Sequence, residues 1–125
     1  MCELFGTMKT ADQIFIDAFK KAQEALGLLH FRTHFEADPT LKSYADIHRN
    51  SVECTAYVRF NSPLMEKDKV LISTAVHEVA HLLVHDLRWA QQSAPDHIAD
   101  TEDERIASRL EPLLLRAIFP NQRQK

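Results

Sequence analysis

The chain has 125 residues, 45% of them hydrophobic, and a formal net charge of −3. That is enough apolar material for one small domain with its own core, and it offers no electrostatic footprint for nucleic acid or an anionic membrane. The sequence shows neither a run of about 18 apolar residues nor the basic-then-apolar start of a secretion signal, so a cytoplasmic protein is expected.

The first element is a helix. Thr10 followed three residues later by Gln13 is a capping box, and Ile14, Phe15, Ala18, Phe19, Ala22 and Leu26 supply an apolar stripe that Gly27 ends. From Leu29 the period changes to two. Leu29, Phe31, Thr33 and Phe35 face one way, while His30, Arg32, His34 and Glu36 face the other, as in a half-buried strand whose histidines are solvated. After Asp38-Pro39 comes a weaker extended segment from Leu41 to His48, turning at Arg49-Asn50. Val52, Cys54, Ala56, Val58 and Phe60 then alternate with Glu53, Thr55, Tyr57 and Arg59, which predicts another strand. Asn61-Ser62-Pro63 ends it, with Pro63 suited to the first turn of a following helix. Cys2 and Cys54 are the only cysteines and form no CxxC pair, which argues against a zinc knuckle or a disulfide framework.

No Gly or Pro interrupts residues 64–94. Val70, Leu71, Ala75, Val76, Val79, Leu82, Leu83 and Leu87 recur at three- and four-residue spacing there, with Thr74, His77, His81, His85 and Arg88 on the opposite side. This helix carries His77-Glu78-Val79-Ala80-His81. Histidines four residues apart on a helix lie one above the other, so both imidazoles can converge on one ion. Glu78 is displaced too far round to be a third ligand, but is placed to take a proton from water activated by that ion.

A third ligand must come from downstream, and two residues compete. His97 lies in a segment, 93–101, that reads as a loop. Glu104 lies in the first turn of a helix predicted over 102–118, with Ile106, Leu110, Leu113, Leu114 and Ala117 as its buried stripe and Pro120 ending it. Ala107 permits close approach to the motif helix, and Ser108 is a candidate hydrogen-bond partner for a ligand histidine. Glu104 has a competing use, because Thr101-Glu102-Asp103-Glu104 is itself a capping box. Leu113-Leu114-Leu115 is more apolar than one buried face needs, so Leu115 reads either as an extra core leucine or as a docking contact.

Tyr57 to Leu64, followed by Ser73 to His85, resembles the strand and active-site helix of small intracellular zincins, and the run from Glu104 to Leu110 resembles the segment that carries the third ligand in gluzincins. Minigluzincins, phage-encoded relatives and the ImmA/IrrE-type metallopeptidases share that layout, and many of the last have a histidine where His85 stands. Ser108 departs from the usual Asn or Asp. SprT-type proteases also share the His-Glu-x-x-His-Leu-Leu phrase but take their third ligand from a histidine after the helix, which here is His97.

The gluzincin resemblance implies an α+β, zincin-like domain spanning 1–125, with a core over about 10–119 and a polar tail at 120–125. It implies an N-terminal helix, a small and mainly antiparallel sheet, the His-Glu-x-x-His helix, and a C-terminal helix carrying the third ligand. The expected function is zinc-dependent endopeptidase activity on a peptide or protein substrate. One Zn2+ per chain is held by His77, His81 and Glu104, and Glu78 is the general base. His85, His97, Tyr57 and Arg59 are candidates to stabilise charge on the carbonyl oxygen. The strand ending near Phe60 is the expected rim of the cleft, with Tyr57 and Arg59 touching substrate. Two alternatives remain: a SprT-like protease using His97, and a catalytically silent zinc-binding regulatory or interaction module.

Overall fold

The computed structural model describes residues 9–50, 52–91 and 96–120, with side chains described outside 89–103. Cys2, the side chain of His97 and the tail from residue 121 lie outside the described residues. The fold is α+β: α1 (Ala11–Ala25), β1 (Arg32–Ala37), β2 (Ala45–Asn50), β3 (Thr55–Phe60), a 3-10 turn (Ser62–Leu64), α2 (Asp68–Gln91) and α3 (Asp96–Ile118).

Both ends of α1 form as its sequence dictates. The Thr10 hydroxyl accepts the Gln13 backbone N–H at 3.1 Å. At the other end Gly27 takes φ +72°, and the N–H groups of Gly27 and Leu28 return to the carbonyls of Glu24 and Gln23. This is a Schellman stop, in which Leu28 turns into the core. The buried Gln23 amide then donates to the carbonyls of Leu28 and Phe31, both at 2.9 Å, pinning the loop. That loop displaces the expected strand start: β1 begins at Arg32, and Leu29 is 63% exposed.

The second turn also falls later than expected. β2 runs through Arg49-Asn50, and Cys54 takes φ +54° in the turn that follows. Val52 is 76% exposed, so the buried alternation of β3 is carried by Ala56, Val58 and Phe60 alone. The sheet is mixed rather than mainly antiparallel. Its order is β1-β3-β2, with β1 parallel and β2 antiparallel to β3. The chain leaves β1, crosses to the far edge as β2, and returns up the middle as β3, which makes the last strand the central one.

One face of the sheet packs on α1 and α2. Phe15 stacks on Phe60 at 4.5 Å between ring centroids, and Phe19 meets Phe35 edge-on at 5.2 Å. α2 is the centre of the molecule, flanked by α1, α3 and β2. Leu71, Ala75, Val76, Val79, Ala80 and Leu82 are buried, and so are Thr74, Glu78 and His81 on the side expected to face solvent. Residues 68–88 are apolar and long enough by composition to cross a bilayer. Packing on several sides accounts for that apolarity.

α3 starts at Asp96, six residues before the expected 102, so Thr101 is inside the helix and cannot cap it. Its inward face is Ala107, Leu114, Leu115 and Ile118, with Phe119 just beyond the helix. The expected stripe is therefore rotated: Leu115 packs on the core, while Leu113 is 54% exposed and Ala117 is exposed.

Phe15 is fully buried against Phe60. Phe15→Ala is expected to destabilise the fold by about 3–5 kcal/mol, read as a lowered denaturation midpoint. A loss below about 1 kcal/mol would remove this stack from the core account.

Candidate metal centre

His77 and His81 stand one turn apart on α2, with their Nε2 atoms 3.1 Å from each other and their rings nearly perpendicular at 78°. Glu104 reaches across from α3 and spans both: Oε1 lies 2.8 Å from His81 Nε2, and Oε2 lies 3.3 Å from His77 Nε2. Among the described residues this is the group of three metal-ligating side chains whose donor atoms converge. Two imidazoles and a carboxylate are a donor set that zinc takes. Bonds of about 2.0–2.1 Å in a tetrahedron place ligand atoms roughly 3.3 Å apart, close to the spacing observed here.

Two further side chains of α3 brace the cluster. Glu111 Oε1 lies 2.9 Å from His77 Nδ1. A carboxylate only accepts, so Nδ1 is the donor and Nε2 of the neutral ring carries a lone pair. That bond, opposed by burial and aided by the charges of Glu78 and Glu104, raises the pKa of His77 above the usual imidazole value. Ser108 donates to Glu104 Oε2 at 3.2 Å, and so supports the carboxylate rather than a histidine as expected. Glu111 was not among the sequence candidates. It stands two turns past Glu104 on the same helix face, but spacing along α3 does not say that its side chain reaches α2.

Glu78 is 6% exposed, and removal from water pushes its pKa up to about 6. The neighbouring His81 and His77 oppose the shift, while Glu104 and Asp46 add to it. Its carboxyl makes no hydrogen bond to another described residue, and it lines a cleft of about 550 Å³ together with His77, His81 and Glu104.

β2, through Asp46, Ile47 and Arg49, and Tyr44 just before it form the opposite wall of that cleft. The Asn61 N–H bonds the Tyr44 carbonyl at 2.8 Å, which extends the β2–β3 ladder. The alternation of an antiparallel ladder then turns the N–H and C=O of Ile47 away from β3, to the outer edge of the sheet. This corrects the expected rim. β3 is paired on both sides and has no edge to offer. Tyr57 stacks on His34 at 4.7 Å, and Arg59 pairs with Asp46 and Asp38. Neither Tyr57, Arg59 nor His85 lines the cleft; Tyr44 and Arg49 do. The backbone of His97 lies in the first turn of α3 rather than in a loop, and its side chain is outside the described residues. Comparisons with protein-family models, curated proteins and solved structures find no match for this chain.

Burial of Glu78 has a measurable consequence. Its folded pKa of about 6 lies above the ordinary 4.5, so its contribution to stability is full below about pH 4.5 and is lost as pH rises through 6. Glu78→Gln removes that loss. In metal-free protein the variant is expected to be more stable than the parent by about 2 kcal/mol at pH 7.5, with the difference closing below pH 4.5. Parallel denaturation curves at the two pH values check this, and a variant no more stable at pH 7.5 would contradict it.

Proposed function

We propose that this chain is a zinc-dependent endopeptidase of the small gluzincin kind. In this reading His77, His81 and Glu104 hold one zinc ion and Glu78 is the general base. The observation that carries it is the convergence of three electron-pair donors from two helices beside a buried carboxylate of near-neutral pKa. A lone pair on His77 Nε2 and the Glu104 carboxylate repel each other at 3.3 Å unless a proton or a cation sits between them. Glu78 also favours an enzyme over a purely structural zinc module. A structural site has no use for a base beside its first ligand, and a buried carboxylate with no hydrogen-bond partner among the described residues costs stability.

Bound at these side chains, zinc supplies Lewis acidity, polarising a peptide carbonyl and making water acidic enough to react near neutral pH. The chain's own residues supply the rest. Glu78 takes the proton of the attacking water and returns it to the departing amine. A carboxylate in the cleft beside both histidines is placed for both steps. The outward N–H and C=O of Ile47 can bond an extended substrate added along β2. Tyr44 and Arg49 bring O–H and N–H donors to the same cleft, where negative charge on the carbonyl oxygen needs them.

Metal analysis and peptide digestion test the proposal together. The parent is expected to hold one zinc per chain, and His77→Ala/His81→Ala none. Glu104→Ala is expected to weaken zinc binding strongly. Glu78→Gln should keep full zinc while cleavage of a peptide mixture, followed by mass spectrometry, falls by orders of magnitude. Full zinc in the double-histidine variant ends the metal reading. Zinc without any cleavage by the parent leaves the silent binding module in its place.

A further inference from the structure

Glu111 stands at the cluster yet cannot join it as a ligand. Its carboxylate meets His77 at Nδ1, on the other edge of the ring from the Nε2 atom that faces Glu104 and His81. We propose that Glu111 is the positioning residue of this centre: it holds His77 with Nε2 unprotonated and aimed into the cluster, and so sets the metal affinity. This rests on the zinc reading above.

The chemistry requires the assignment of roles. Either nitrogen of a neutral imidazole can carry the proton, and the choice is set by the hydrogen bond that the other nitrogen makes. Glu111 can only accept, so it keeps the proton on Nδ1 and the lone pair on Nε2. The pair is partly shielded, with side-chain exposures of 18% for His77 and 28% for Glu111, so water competes weakly for the bond. A carboxylate behind an imidazole also makes the ring a more basic ligand.

Helix geometry explains why the residue is Glu111. Ser108 is one turn past Glu104 and nearer to the cluster, but its short side chain reaches only Glu104 Oε2. Side chains on a helix lean toward the N-terminus. A glutamate one turn further on therefore leans back over the level of Ala107 and Ser108. Ala107 is fully buried and has only a methyl group there, so α3 lies close enough to α2 for the longer side chain to reach His77. Glu104 and Glu111 thus grip opposite edges of one imidazole from a single helix. Ser108 serves the ligand, and Glu111 serves the histidine.

The test compares zinc affinities of the full chain, measured by competition with a chromogenic chelator. Glu111→Ala is expected to bind zinc about 10–100-fold more weakly than the parent. Glu111→Gln keeps an acceptor oxygen without the charge, so an intermediate loss is expected. In zinc-saturated ¹⁵N-labelled protein, the His77 Nδ1–H proton that donates to Glu111 should shift upfield and exchange faster with water in both variants, more in Glu111→Ala than in Glu111→Gln, a change that a merely structural role would not produce. Thermal unfolding of the metal-free variants separates loss of affinity from loss of fold, and Glu111→Gln carries the test if the alanine variant does not fold. Zinc affinity within twofold of the parent in the folded Glu111 variants overturns the proposal, provided that His77→Ala/His81→Ala abolishes binding. Zinc retained by that double-histidine variant overturns the proposal together with the zinc reading.

Discussion

The carboxylates of α3 against the imidazoles of α2 form the contact on which the rest of the structure turns. α2 is buried along most of its length, yet it carries His77, Glu78 and His81 in its middle. A buried polar group left without a partner costs about 1–3 kcal/mol. α3 supplies Glu104 to both Nε2 atoms and Glu111 to His77 Nδ1, so its packing also satisfies the buried ring of His81 and the half-buried ring of His77. The helix pair is consequently held in register by polar contacts at one end and by Leu114, Leu115 and Ile118 at the other.

The same packing separates two carboxylates by environment. Glu104 is exposed at its side chain and engaged with both histidines, and thus suited to holding a cation. Glu78 is almost fully buried, makes no hydrogen bond to a described residue, and is raised to about 6. The two acids stand near one another in opposite environments, and burial raises the pKa of the enclosed one toward neutrality.

The sheet contributes the third wall through its topology. Because β3 returns up the middle, β2 becomes the edge strand beside the cleft, while β1 occupies the other edge. The aromatic packing of Phe15, Phe19, Phe35 and Phe60 holds the sheet on α1, which in turn packs on α2. The cleft is therefore bounded by an edge strand joined to the core through β3 and a helix joined to α3 through His77 and His81.

Local chemistry was legible in the sequence. Thr10 and Gly27 bounded the first helix because capping and positive φ are properties of single residues. His77, Glu78 and His81 declared their geometry because helical spacing alone puts both imidazoles on one face. Glu104 was open between ligand and cap until α3 proved to start at Asp96, which removes the cap and leaves the carboxylate facing the histidines. Strand order was not readable. Alternation in β3 says that one face is buried, not which neighbours pair, so Tyr57 and Arg59 were expected at a rim that belongs to β2. Glu111 was invisible for a related reason. Its role depends on how near α3 lies to α2, and that distance is decided by the packing of Ala107 and the leucines beyond it rather than by any spacing along the chain.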